Sequence, residues 1–106
     1  MVIVLTTVGA SFDVKPLARE LVERRLCACV SILPRVESIY TWEGTLTEDA
    51  EQLLIIKTVA ERVDELRGRL LALHPYDVPE FLVLDVAGIS APYRDWLLGA
   101  VSPVSR

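Results

Sequence analysis

A chain of 106 residues with 52% hydrophobic and 25% charged residues is long enough for one enclosed core and too short for two, so residues 1–106 are expected to form a single domain. A net charge of -4 and an isoelectric point near 4.9 exclude the broad basic face that nucleic acid or an anionic membrane would require, and make cations the natural visitors. No apolar run reaches the length of a membrane span, and the amino-terminal MVIVLTTV lacks the basic start and small-residue cleavage site of a secretory leader; a cytoplasmic location is the expectation.

Val2 to Leu5, followed by Thr6 and Thr7, is an unbroken apolar run that predicts a strand buried on both faces. Gly9 and Ser11 turn the chain. From Asp13, the expected cap, Val14, Leu17, Ala18, Leu21 and Val22 recur at helical spacing, with Pro16 tolerable in the first turn, where N–H groups are free. CACVSIL opens a second strand, and its Cys27 and Cys29 are expected on one face as buried apolar thiols, since neighbours at that spacing are poor disulfide partners. Pro34 calls for a sheet edge or a bulge before RVESIYTW continues the strand.

Trp42, Glu43 and Gly44 predict a turn, after which TLTEDAEQ is polar and LLIIKT is again continuously apolar. Together these stretches make one long hairpin, with Glu48, Asp49 and Glu51 expected on a solvated strand face. Thr58-Val59-Ala60-Glu61 has the form of a capping box, opening a helix that buries Val59, Val63, Leu66, Leu70 and Leu73 and ends at Pro75. FLVLDV predicts a fourth strand. Ser90-Ala91-Pro92-Tyr93 opens a short last helix that packs Tyr93, Trp96 and Leu97 before Gly99, and the tail from Val101 shows no periodicity.

The order is βαββαβ plus a terminal helix, which predicts an α+β, ferredoxin-like sandwich with an antiparallel sheet and both main helices on one side. Strands covered on one face should alternate apolar and polar residues, yet VIVL, LLII and FLVL do not. A single short helix is too small to cover the second face, so other copies of the chain are expected to do so.

Three stretches, SIYTWEG, LLIIKT and LHPYDVPE, in that order, with LARELVERRLCACVSILP before them and YRDWL after, resemble the CutA family of divalent-cation tolerance proteins from Val2 to about Leu98. The resemblance implies a ferredoxin-like subunit in a homotrimer, with long hairpins reaching across subunit boundaries, and a link to divalent cations such as copper. In the copper-associated pattern a cysteine ends the first strand and a His-His pair precedes Pro-Tyr. This chain carries Thr6, Leu73 and His74 at those places, which removes the thiolate and one imidazole that a soft, high-affinity site uses. Any copper or zinc is therefore expected to bind weakly or indirectly, with no tightly held cofactor.

His74, the only histidine, has two readings. It is either a helix-terminal group capping carbonyls and complementing the helix dipole, or one ligand of a carboxylate-rich metal site with Asp77 and Glu80. Tyr40 and Trp42 share a strand face. They are either packing at a subunit junction or, with Glu43, Lys57, Tyr76 and Glu80, the lining of an intersubunit cleft for an anionic or aromatic small molecule. No Gly-rich phosphate loop, HExxH motif or positioned Cys-His pair is present, so no catalysis is expected. Three functions remain: a cation-tolerance trimer, a small-molecule-responsive signalling trimer, or a structural scaffold.

Overall fold

The computed structural model describes residues 1–103. Its elements in chain order are β1 (Val2–Gly9), α1 (Lys15–Glu23), β2 (Cys29–Trp42), β3 (Thr45–Thr58), a 3-10 turn (Ala60–Arg62), α2 (Val63–Leu73), β4 (Leu82–Asp85) and α3 (Ala91–Val101). The strands form one antiparallel sheet in the order β2-β3-β1-β4, the ferredoxin-like arrangement that the element order predicts. Among the described residues no helix is long and apolar enough to cross a membrane.

Alternation divides the sheet into two faces of different character. Val4 and Val8 of β1 and Leu54 and Ile56 of β3 point to one side, where Leu17 and Leu21 of α1 and Leu66 and Leu70 of α2 close a core with them. Both main helices therefore lie on the same face. On the other face Ile3, Leu5, Leu53 and Ile55 remain only partly buried. Beside them Leu33 at one edge, and Leu82 and Leu84 at the other, are 38%, 50% and 48% exposed. α3 packs elsewhere, joining Leu97 and Val101 to Ala28 and Val59. It leaves this apolar face open. Here is the physical reason the strands read as continuous apolar runs: both sides of the central strands are oily, and the single chain covers one of them.

The hairpin is built as its sequence dictates. Glu43 and Gly44 both have positive φ (50° and 79°), the two-residue turn whose twist matches that of the flanking strands. Pro34 falls in a register shift between Leu33 and Val36 on an edge strand, where its missing N–H breaks no interior ladder bond.

The helix ends depart from expectation. Asp13 does not cap α1; Val14 occupies that place without any side-chain bond. At the other end Arg25 takes a left-handed φ of 59°. Its N–H reaches Val22 O while Leu26 N–H reaches Leu21 O. This is the paired closure that satisfies terminal carbonyls, with Leu26 and Leu21 meeting in the core. The capping box also fails. Thr58 ends β3 facing the core, and its Oγ1 donates to Leu26 O at 2.7 Å, leaving a 3-10 turn to start the helix region at Ala60. Val63 and Leu73 are only partly buried, against the expected full stripe. β4 is shorter than FLVLDV, and α3 runs through Gly99 to Val101. Its terminal carbonyls accept from guanidinium groups: Arg62 reaches Val101 O, and Arg25 reaches Gly99 O and Ser102 O. The tail expected to be aperiodic from Val101 thus begins one residue later, since Val101 ends α3, and its residues 104–106 lie outside the described residues.

The two cysteines do not share a face. Cys27 precedes β2 and lies in the helix-side core, where burial pushes its thiol up to about 12. Cys29, half-buried, sits across the ladder from Lys57. Cys27 should therefore resist a thiol reagent until the chain unfolds, as mass-spectrometric counting of labels along a urea titration would read; labelling in native buffer would contradict a closed core.

Thr6 Oγ1 is buried on the helix side with no hydrogen-bond partner among the described residues. Thr6→Val removes an unsatisfied group at nearly constant shape, so urea unfolding should show a gain of about 1 kcal/mol. A loss instead would reveal a partner for the hydroxyl.

Candidate functional site

β4 pairs with β1 only from Val2 to Leu5, so the edge of β1 beyond Leu5 is free for the segment after α2. His74 takes that place. It is the C-cap of α2 with extended backbone (φ -75°, ψ 136°), and its buried ring uses both nitrogens. Nε2–H donates to Thr7 O at 2.8 Å, and Nδ1 accepts the Tyr76 N–H at 3.1 Å. These partners fix the tautomer, since a backbone carbonyl accepts and a backbone N–H donates. Burial pushes the imidazole pKa below its ordinary 6.5, outweighing the bond to Thr7 and the Glu51 charge, which raise it. His74 is thus a tie between α2 and β1 rather than a cap on helix carbonyls.

Fixing His74 aims Tyr76 across the sheet. The two rings lie 5.0 Å apart, tilted by 58°, and the phenol passes Gly9, where a Cβ would lie 3.8 Å from its oxygen. Tyr76 Oη then donates to Glu51 Oε2 at 2.8 Å. Desolvation and this bond both raise the Tyr76 pKa. Further up the hairpin Tyr40 Oη donates to Asp49, which raises the Tyr40 pKa as well. The expectation that the acidic stretch is a solvated face is overturned at Glu51, which is only 6% exposed. Its neighbour Gln52, on the helix side, is buried too, its Nε2 donating to Gly9 O and Phe12 O.

These groups enclose a cleft of about 620 Å³. Tyr40, Trp42, Asp49 and Glu51 of the hairpin form one wall and Thr7 of β1 part of the floor, while the loop from Pro75 to Glu80 supplies the other wall. Of the residues expected there, Tyr40, Trp42, Tyr76 and Glu80 line it, and so does Asp77. Glu43 sits in the hairpin turn and Lys57 does not reach it. Six residues from Glu51 along β3, Lys57 is about 20 Å away, its Nζ 3.5 Å from Ser31 Oγ and 3.9 Å from Cys29 Sγ. Neither Glu43 nor Glu80 is its partner.

The metal set His74, Asp77 and Glu80 is not drawn together. Asp77 and Glu80 are exposed on the loop, His74 is engaged beneath it, and among the described residues no three His, Cys, Asp or Glu side chains converge to hold an ion. Asp49, Glu51 and Thr7 escaped the sequence reading. The signal for Glu51 was its place two residues before Leu53, on the same strand face as the apolar run. Among the described residues no basic side chain lines the cleft, so it is an anionic, aromatic hollow.

The family model described as CutA1 divalent ion tolerance protein matches residues 2–100. The chain is 45% identical to the divalent-cation tolerance protein CutA of Thermus thermophilus, over 90% of this chain and 92% of that protein. It is 43% identical to the chloroplastic protein CutA of Arabidopsis thaliana, over 91% of this chain and 53% of that longer protein. Two solved structures share the fold closely. CutA1 of Pyrococcus horikoshii superposes with a TM-score of 0.90 at 33% identity, covering 97% of this chain and 100% of that one. The PII-like protein CutA of Nostoc sp. gives 0.87 at 35% identity, covering 96% and 98%.

Proposed function

The chain belongs to the CutA1 divalent ion tolerance family, and from that premise we propose that it serves the handling of divalent cations as a non-enzymatic homotrimer in the cytoplasm. The observation that carries the cation part is the cleft, with Asp49, Glu51, Asp77 and Glu80 in its lining and, among the described residues, no basic side chain to offset them. Such a field concentrates hydrated cations at the rim. The absence of three converging ligands among the described residues keeps the binding weak and mediated by water. Self-assembly is supported by the open face of Ile3, Leu5, Leu53, Ile55, Leu82 and Leu84, a contiguous apolar surface of the kind that a second copy covers; the number three follows the family resemblance. Two free cysteines, Cys27 and Cys29, suit a reducing compartment.

Calorimetric titration with zinc and copper chlorides tests the first part. Weak binding is expected for the native protein, reduced several-fold in the Asp77→Asn, Glu80→Gln double variant; equal affinities would sink the rim as the cation's place. Sedimentation at high dilution tests the second part, and folded single chains would refute assembly.

A second reading is favoured by the shape and walls of the cleft. A hollow of about 620 Å³ lined by two tyrosines and a tryptophan has the size and character of a small-molecule site, so the assembly would respond to a metabolite seated there.

A further inference from the structure

We propose that the cleft binds an aliphatic di- or polyamine. This rests on the second reading, that the cleft is a ligand site, and names the ligand's chemistry. The polar side chains of the lining are almost wholly acceptors. Tyr40 and Tyr76 give their hydroxyl hydrogens to Asp49 and Glu51, so each phenol oxygen keeps only lone pairs for a ligand. Ionised carboxylates accept and never donate, and Pro75 and Pro79 bring no backbone N–H. Among the lining side chains the remaining donors are the Thr7 hydroxyl and the Trp42 indole. A carboxylate or phosphate ligand would meet like charge and few donors. A ligand carrying N–H groups and positive charge meets its complement.

Glu51 sharpens the argument. It is 6% exposed; one oxygen takes the Tyr76 hydrogen, while the other has no donor among the described residues. Since Thr6 Oγ1 is the one buried side-chain polar atom without a partner among the described residues, this second oxygen is open to the cleft, with no basic neighbour among those residues, and its lone pairs are available to a positive group. A bare metal ion is a poor candidate, because it needs several oxygens converging at bonding distance, and among the described residues no three carboxylates do so. An ammonium group is content with acceptors spread at ordinary hydrogen-bond distances, and its methylene chain packs against aromatic faces that also attract the charge. Trp42, 49% exposed, and Tyr40 and Tyr76, at 38% and 37%, offer such faces. The carboxylates occur at two depths, Glu51 beneath the Tyr76 phenol and Asp77 and Glu80 on the exposed loop, which favours a ligand with two or more ammonium groups on a short chain.

The test is thermal shift and calorimetry on the full chain in its native assembly, with putrescine and spermidine as probes at constant ionic strength. Magnesium chloride, 1,4-butanediol and succinate serve as charge, shape and anion controls. Spermidine should raise the melting temperature by several degrees above the magnesium control, and its affinity should fall about tenfold in Glu51→Gln and in Trp42→Ala. Should Glu51→Gln fail to fold, the exposed Asp77→Asn, Glu80→Gln double variant carries the charge arm, with a several-fold loss expected. No amine binding beyond the magnesium response, or binding unchanged in the folded variants, overturns the proposal. Binding of the diol or of succinate alone overturns it too, while leaving the ligand-site reading intact.

Discussion

Truncating Leu54 to alanine should lower the free energy of unfolding by about 2–5 kcal/mol, while the same truncation at the adjacent Ile55 should divide the possible states of this protein. Leu54 is fully buried, set in register between Thr6 and Ile32, and belongs to the core that α1 and α2 close. Its loss leaves a cavity that helices on one side and sheet on the other cannot collapse. Ile55 points the opposite way, between Leu5 and Ser31, and the single chain buries it only in part. If nothing covers that face, Ile55→Ala forfeits little burial, about 1 kcal/mol. If neighbouring copies cover it, the loss approaches that at Leu54 and the transition midpoint rises with protein concentration, because the partner binds only the folded form. In that second case Ile55→Asp goes further, setting a charge on the face between copies and driving the protein towards single chains or insolubility. Denaturant titrations at two widely separated protein concentrations, with sedimentation alongside, read both effects. A small loss at Ile55 independent of concentration would mean that the apolar face faces water.

The same pair shows what could be read in the sequence and why. The continuous runs VIVL and LLII announced a sheet oily on both sides, because alternation fails only where neither face meets water, and the structure resolves each run into one core-facing and one open-facing set. The hairpin turn at Glu43 and Gly44 and the break at Pro34 were equally legible, since their constraints lie in the backbone chemistry of one or two residues. Caps were not. Thr58 followed by Glu61 satisfies a local rule, but the strand carries the Thr58 side chain into the core, where its hydroxyl donates to Leu26 O, a contact 32 residues away in the chain, instead of accepting from a helix N–H. Glu51 failed for the same reason. By composition it belongs with its acidic neighbours; by strand parity it faces the cleft, and the Tyr76 phenol that covers it lies 25 residues further along. The cleft is assembled from such long-range meetings, and that is where reasoning from local pattern is expected to miss.

His74 offers the sharpest test of the cleft's foundation. With both ring nitrogens engaged and the ring buried, His74→Ala should cost about 2–4 kcal/mol near neutral pH, from two lost hydrogen bonds and the space left behind. The contribution should also fade in acid, and the sign follows from the proton inventory. Protonation would turn Nδ1 from an acceptor into a donor facing the Tyr76 N–H, and burial already disfavours the charge, so the folded pKa lies below the ordinary 6.5. The unfolded chain therefore binds the proton more readily. Stability is fully present above about pH 6.5 and is lost progressively as the pH falls from there towards the depressed folded value. Glu20, whose carboxyl is lowered by Arg69, loses its contribution only below its ordinary 4.5, so measurements held above about pH 5 keep the two apart. His74→Gln removes the titration. The difference in unfolding free energy between the native protein and His74→Gln should hold from about pH 7.5 to about pH 6.5 and then shrink steadily to pH 5. A difference constant over that range would mean that the imidazole takes its proton in place, with the Tyr76 N–H and the phenol beyond it held by something other than the neutral ring.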